Sequence, residues 1–173
     1  MFFLRSIFIN AISFIIAFLS IKNLILKNRE LFNFIDYFNI YGASSFLLLC
    51  FYLKYLSNSI YFMEIIIFII ITFYYLRSFN TATQKYHERF KITILSLGNS
   101  KKSYFSNFLS KKILSRGFEA YLFALSLHYF LDKLFYSLYV YVHPLIIVIP
   151  AVILFLTALA KTSKVNKIYK ILK

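Results

Sequence analysis

The sequence predicts an all-α integral membrane protein, and three observations support that prediction. The chain has 173 residues, of which 61% are apolar and only 15% charged, whereas soluble domains are about 45–50% apolar and about 25% charged. Its longest apolar runs approach the roughly 17–25 residues that a helix needs to cross a bilayer. Its charge is lopsided, with 20 Lys and Arg against 6 Asp and Glu. This composition excludes a disordered tail, a collagen-like chain and a disulfide scaffold, and it argues against a soluble enzyme.

About four transmembrane helices are predicted from the apolar runs. The first lies within residues 1–28 and covers 7–21. Because it lacks a small-residue cleavage site and ends at Lys22, we predict an uncleaved helix and not a signal peptide. The other three runs belong to a core over residues 60–173, at 60–76, 118–131 and 145–160.

The cations predict the orientation of that core. Nine Lys and Arg residues lie in the polar segment 77–117, and five lysines lie in the tail 161–173. Cytoplasmic loops carry an excess of Lys and Arg, so we expect both segments in the cytoplasm. The connection 132–144 has Lys133 as its one Lys or Arg and is expected on the outer side.

Residues 29–59 leave two topologies open. We expect a short extracytoplasmic or interfacial segment there, but its part 42–56 is apolar and only slightly short for a crossing. If 42–56 does not cross, there are four spans and the chain starts inside. If it crosses, there are five, Arg5 lies outside, and Lys22 lies inside.

The sequence lacks the patterns that carry most enzyme chemistry. It has neither a G-x-x-x-x-G-K-[ST] phosphate loop nor a G-x-G-x-x-G turn, so we expect no nucleotide site. Cys50 is the only cysteine, and His87, His128 and His143 share no metal-ligand spacing. We therefore expect a non-enzymatic protein without metal, cofactor or nucleic-acid partner, in which His128 is packed or hydrogen-bonded.

Three acids lie in or at the edges of the apolar runs: Glu64, Glu119 and Asp132. Acids inside a membrane are costly and are functional candidates by default. Each also has a structural interpretation here, because Glu119 follows Arg116 by three residues, Asp132 adjoins Lys133, and Glu64 is near a helix end. We favour edge or packing roles for all three.

The segment between the second and third runs has the most organised polar pattern. Asn80 and Thr81 predict a helix cap, and Gly98 with Asn99 predicts the end of that helix. Between them, apolar residues recur at helical spacing on one face at Tyr86, Phe90, Ile94 and Leu97. The pattern allows two interpretations, a basic, solvated loop or a cytoplasmic amphipathic helix that docks a partner, and the defined stop favours the helix.

A second amphipathic stretch follows the predicted stop. Phe105, Leu109 and Ile113 are spaced four residues apart among lysines. This pattern predicts a helix lying at the inner membrane surface before the third span.

The run 88–101, Glu-Arg-Phe-Lys-Ile-Thr-Ile-Leu-Ser-Leu-Gly-Asn-Ser-Lys, resembles the signature R-R-x-E-I-x-I-L-x-x-L-G-A-S/T-x of FtsX-like permeases. These are membrane subunits of ABC systems. Asn80-Thr81 before the run, and 105–109 with 117–120 after it, resemble the family's flanking segments. The resemblance is closest to the cell-division members, with a much reduced extracytoplasmic region.

The resemblance implies a role in coupling. A family member of this kind is a non-catalytic subunit of the bacterial cytoplasmic membrane, a homodimer that converts ATP hydrolysis by an FtsE-like ATP-binding subunit into movement of its helices, in cell division or cell-wall remodelling. The residues implied for docking this ATPase are Tyr86, His87, Glu88, Arg89, Phe90, Ile92, Leu95, Leu97 and Gly98.

Two alternatives remain open from the sequence. One is a small structural or assembly membrane protein without an ATPase partner. The other is an ion-coupled carrier that uses Glu64 and Glu119.

Overall fold

Helices form 95% of the described residues, and none of these residues lies in a strand. The structure is a computed structural model and describes residues 2–27, 31–56, 60–96, 98, 100–137 and 143–171. Within these ranges, the side chains at 2, 60, 87–89, 91–93, 95, 101 and 163–171 lie outside the description.

The elements follow one another as α1 (Phe2–Leu26), a 3-10 helix (Asn33–Phe38), α2 (Ile40–Leu56), α3 (Ile60–Ser96), α4 (Lys101–Tyr104), a π-helical turn (Phe105–Leu109), α5 (Ser110–Ser137) and α6 (Pro144–Ile171). No residue separates α4, the π-helical turn and α5, so residues 101–137 form one helical rod.

Among the described residues, three helices are long and apolar enough to cross a membrane, over Phe3–Leu26, Tyr61–Tyr86 and Pro144–Thr162. Helix α2 is apolar but shorter, and α5 contains the apolar run 118–131. The prediction of an all-α membrane protein is therefore confirmed.

A stripe of small and polar residues places α1 inside the bundle. Ser6, Asn10, Ser13 and Ala17 recur at helical spacing and are all buried, where α1 packs against α3 and α5. Small residues let membrane helices approach closely, since lipid supplies little hydrophobic drive for their association.

Gly117 marks the closest approach of α5 to its neighbours. A Cβ atom at this position would collide with the Phe79 ring of α3 and press on the Phe14 ring of α1. These two rings pack edge to face, with centroids 5.1 Å apart. The glycine therefore lets three helices meet around one aromatic cluster.

Helices α1 and α3 run in the same direction. Arg5, near the start of α1, pairs with Glu64, near the start of α3. Further along, Phe14 packs on Phe79. Contacts that advance together along both helices require parallel axes.

Helix α2 runs against α3, and α6 runs against α2. The last turn of α2 brings Lys54 to Glu64 at the start of α3, while Phe38, just before α2, contacts Phe73 further along α3. Ser45 of α2 donates a hydrogen bond to the Ala151 carbonyl of α6 at 2.6 Å, and Asn39 reaches the Ala158 carbonyl. The five long helices therefore alternate in direction as α1, α2, α3, α5 and α6.

This alternation agrees with the five-crossing topology and differs from the four-crossing one. In the latter, α1 and α3 would run in opposite directions. Helix α2 lies within the bundle, with Ala43, Leu47 and Phe51 buried. Its 17 residues span about 25 Å at 1.5 Å per residue.

The predicted helix cap at Asn80 and Thr81 is wrong, because α3 continues through both residues to Ser96. The Thr81 hydroxyl bonds back to the Arg77 carbonyl four residues earlier, which a helix interior permits. Phe79 and Ala82 are buried. The buried face of α3 thus continues past the polar pair, and tertiary packing outweighs the local preference for a cap.

The predicted surface position of the second amphipathic stretch is also wrong. Phe105, Leu109 and Ile113 are at most 4% exposed, and the Phe105 ring packs near Phe18 of α1. Because residues 101–137 form one rod along α3, the apolar face of this stretch meets other helices instead of lipid.

Candidate functional site

The feature that stands out from the bundle is a helical hairpin, residues 77–117, made by the second half of α3 and the first part of the rod 101–137. Helix α3 has 37 residues and is about 55 Å long, against about 30 Å for the hydrocarbon core of a bilayer. Its apolar stretch ends at Tyr86 and the helix ends at Ser96. The hairpin therefore extends about 15 Å beyond the apolar stretch.

The turn of the hairpin is built as the sequence predicts. Helix α3 ends at Ser96, and Gly98 has a φ of +83°, in the left-handed region that glycine adopts without a steric cost. Ser100 then starts the return rod by accepting a hydrogen bond from the Ser103 backbone N–H on its hydroxyl, at 3.2 Å. This is a serine N-cap.

Aromatic contacts hold the two arms of the hairpin together. Phe90 on α3 meets Phe108 on the returning arm, with ring centroids 5.4 Å apart. Phe108 also stacks on Tyr104, and the Phe105 ring lies near Phe18 of α1. Aromatic contacts thus stabilise the hairpin both between its two arms and where it meets α1.

The structure describes three of the predicted docking residues with their surroundings. Phe90 is 41% exposed although it touches Phe108, so part of its side chain is open to a partner. Tyr86 is half-buried against the core and serves packing more than docking. Gly98 forms the turn. The side chains of His87, Glu88, Arg89, Ile92 and Leu95, and all of Leu97, lie outside the described residues.

A second polar feature is a cluster of four charges at the opposite end of the bundle, which we call the far-end cluster. Lys54 Nζ lies 2.7 Å from Asp132 Oδ1 and 3.9 Å from Glu64 Oε1. Glu64 also pairs with Arg5. Four helices contribute one charge each, two of either sign, so the cluster is electrically neutral.

This neutrality determines what the far-end cluster can do. Exposed apolar residues lie within two positions of its members in the chain, including Leu4, Phe62 and Phe130. Charges in such a setting are tolerated when they pair with one another. Every carboxylate of the cluster has a cationic partner. The arrangement therefore suits ion pairs that stabilise the packing of the four helices, and it leaves no unpaired acid in the cluster for transport.

Beneath the far-end cluster lies a buried hydrogen-bonded triad, Asn10, Tyr75 and His128. The Asn10 amide donates to the Ser6 carbonyl, 2.8 Å away, which fixes the amide orientation. Its Oδ1 accepts the Tyr75 hydroxyl at 2.8 Å, and its Nδ2 lies 3.1 Å from His128 Nδ1. His128 Nδ1 must then accept, which places the ring proton on Nε2. The expectation of a hydrogen-bonded His128 is confirmed.

The third acid, Glu119, lies at the other end of the bundle. It pairs with Arg116 at 2.7 Å, three residues earlier, and its side chain is 65% exposed. Asp36 and Arg77 form a second ion pair at this end, at 2.9 Å. Glu64 and Glu119 therefore belong to separate charge layers and do not form the acid pair that a carrier would need.

The far-end cluster and the ion pairs at the hairpin end form two charge layers, and the distance between the layers is the same along α3 as along α5. Glu64 and Arg77 are 13 positions apart on α3, and Glu119 and Asp132 are 13 positions apart on α5. Either spacing corresponds to about 20 Å along a helix axis. This is less than the roughly 30 Å of the hydrocarbon core of a bilayer, which fits the pairing of Arg5 and Lys54 with carboxylates.

Arg5, Lys54 and Asn10 were not among the site residues predicted from the sequence, in which Arg5 served only as a marker of topology. Their signal was present, since Arg5 and Lys54 interrupt apolar runs and Asn10 is the polar centre of one. Pairing them with Glu64, Asp132 and His128 required the helix directions, which local patterns do not contain.

In the part of the chain that the structure describes, no group of three or more His, Cys, Asp or Glu residues is placed to hold a metal ion. No family model, curated protein or solved structure matches the chain.

Proposed function

We propose that this protein is a non-catalytic membrane subunit of an ABC-type complex, and that its hairpin docks a partner ATPase. The observation that supports this most is helical continuity. Helix α3 and the rod 101–137 each pass from the bundle into the hairpin without a break, across the layer that holds the Asp36–Arg77 and Arg116–Glu119 pairs. A displacement applied at the hairpin tip would therefore reach the bundle as a rigid-body movement.

We propose that the membrane is a bacterial cytoplasmic membrane, and the charge distribution supports a hairpin on its cytoplasmic side. The hairpin end of the bundle carries the nine cations of residues 77–117, together with Lys22, Lys27 and Lys161. The far end carries Arg5, Lys54 and Lys133, and two of these are neutralised by acids. The positive-inside bias then places the hairpin in the cytoplasm and the start of α1 outside.

The resemblance of residues 88–101 to FtsX-like permeases gives the proposed partner its class, an FtsE-like ATP-binding subunit. The matching run occupies the end of α3 and the turn, which is the part of the molecule furthest from the bundle. The partly exposed side chain of Phe90 lies within this run. We propose that a homodimer of this chain binds the ATPase there and acts in cell division or cell-wall remodelling.

Co-purification with the ATPase from the source bacterium tests this proposal. We expect the intact chain to retain a P-loop ATPase in mild detergent, and the double charge reversal Glu88→Arg with Arg89→Glu to release it. The matched control is the pair Lys111→Glu with Lys112→Glu, which changes exposed charges further down the hairpin. Retention of the ATPase by the 88/89 variant, or its absence from the intact chain, would reject the docking role.

A further inference from the structure

The hairpin end of the bundle contains a cavity of about 450 Å³ between α2, α3, α5 and α6. This volume falls within the roughly 300–1,000 Å³ of small-molecule sites in proteins. Its lining divides by chemistry into a charged rim and an apolar wall. The rim is formed by Arg77, Lys85, Arg116, Lys161 and Glu119.

The rim has an excess of positive charge. Arg116 is paired with Glu119 and Arg77 with Asp36. Lys85 and Lys161 lie over the rings of Tyr86 and Tyr41, at 5.8 Å and 5.0 Å. Among the described residues, no carboxylate forms an ion pair with either lysine. Two ammonium groups are therefore available to an anion.

The wall of the cavity is apolar and aromatic. Phe38, Ile40, Tyr74 and Phe123 line it, and the Tyr74 and Phe123 rings pack together with centroids 5.8 Å apart. Just outside, Phe118 and Leu122 of α5 are more than half exposed. A ligand bound here would meet cations at one end and apolar surface at the other.

The position of the rim matches the boundary between membrane and water. Arg77 is the first charge after the apolar run 60–76 of α3, and Lys161 is the first after the apolar run 145–160 of α6. Arg116 and Glu119 flank the start of the apolar run of α5. Basic pockets between membrane helices at this depth suit phosphate-bearing lipid headgroups.

We propose that this cavity binds an anionic phospholipid, with the phosphate held by Lys85, Lys161 and the two arginines and an acyl chain lying along the apolar wall. Arginine suits this task because its planar group donates two parallel hydrogen bonds to phosphate oxygens. The proposal depends on the membrane fold and the cavity, and it is independent of whether the hairpin docks an ATPase.

The test is a binding titration on the full chain purified in a neutral detergent. Short-chain phosphatidylglycerol, short-chain phosphatidylcholine and inorganic phosphate are added separately, and the shift of the thermal unfolding midpoint gives each apparent affinity. The variant Lys85→Gln with Lys161→Gln removes the two available ammonium groups. The matched control, Lys22→Gln with Lys27→Gln, removes two lysines from the same end of the bundle but outside the cavity.

We expect phosphatidylglycerol to bind more tightly than phosphatidylcholine, because both lipids have a phosphate but the choline ammonium of the latter is repelled by the cationic rim. Each lysine near a lipid phosphate contributes about fivefold to affinity, so the cavity variant should bind phosphatidylglycerol about 25-fold more weakly. The control should change its affinity less than threefold. Equal weakening in both variants would show a general charge effect and overturn the site, as would equal binding of the two lipids. Binding of inorganic phosphate alone, with the same dependence on Lys85 and Lys161, would overturn the lipid assignment.

Discussion

The ammonium of Lys54 on α2 lies 2.7 Å from the carboxylate of Asp132 on α5. This contact joins the end of one apolar helix to the end of another, 78 positions apart in the chain. It also determines the direction of α2, because only a helix that runs with α5 brings residues 54 and 132 together while Phe51 meets the His128 ring.

Replacing Lys54 tests the far-end cluster. Lys54→Met leaves the buried Asp132 carboxylate without its cation, and we expect the free energy of unfolding to fall by about 3–5 kcal/mol. The double change Lys54→Met with Asp132→Leu should recover most of that loss, since no unpaired charge remains. Chemical unfolding in detergent micelles measures both variants.

Lys133→Met is the control for the Lys54 variant. Lys133 is exposed at the same end of the bundle, and its removal should change the free energy of unfolding by less than about 0.5 kcal/mol. If Lys54→Met has the same free energy of unfolding as this control, the far-end cluster does not stabilise the bundle as assigned.

Tyr75→Phe tests the buried triad. The change removes the hydroxyl that donates to Asn10 Oδ1 and keeps the ring contacts. We expect a loss of about 0.5–1.5 kcal/mol, the usual net contribution of one hydrogen bond. Tyr129→Phe, at an exposed ring that packs on Phe3, is the matched control and should be neutral. If both changes lower the free energy of unfolding equally in the same assay, the Tyr75–Asn10 hydrogen bond does not stabilise the fold.

The turn of the hairpin gives a prediction about backbone conformation. Gly98→Val puts a β-branched residue at a φ of +83°, and we expect a cost of about 1–2 kcal/mol. Gly98→Asn should cost less, because asparagine tolerates this region. Hydrogen exchange of the amides around residues 96–104 reports the local opening. Similar exchange in the two variants would show that the turn does not require the left-handed conformation.

The helix directions predict sidedness. In a Cys50→Ser background, Phe3→Cys near the start of α1 and Ser100→Cys at the hairpin turn are both at exposed positions. A membrane-impermeant maleimide added to intact cells should label position 3 and spare position 100. Protection of both positions in intact cells, with labelling of both once the membrane is permeabilised, would support the four-crossing topology and contradict the parallel arrangement of α1 and α3.

The sequence was sufficient for the features that depend on local composition. The apolar runs, the stop at Gly98 and the Arg116–Glu119 pair were all predictable from neighbouring residues. The continuation of α3 past Asn80 was not, because its cause is packing of Phe79 against Phe14 of α1. Likewise, the burial of Leu109 depends on helices far away in the chain. A local sequence pattern predicts whether a segment forms a helix, but it does not predict which other helices will pack against it.

The charged residues show the same division. Glu64, Glu119 and Asp132 were recognised because acids are rare in apolar runs, and two of them proved to share Lys54. Their shared partner lies on α2, the helix whose membrane position the sequence left open. The far-end cluster could therefore be assembled only once the direction of α2 was known.

The most direct test of the proposed docking role is site-specific photocrosslinking in living cells of the source organism. A photoreactive amino acid replaces Phe90, whose ring is 41% exposed at the hairpin, or Tyr61, which is 85% exposed at the far end of α3. We predict that position 90 crosslinks to a P-loop ATPase and that position 61 does not. An ATPase crosslink absent at position 90, or equally strong at position 61, would contradict the docking of an ATPase by the hairpin.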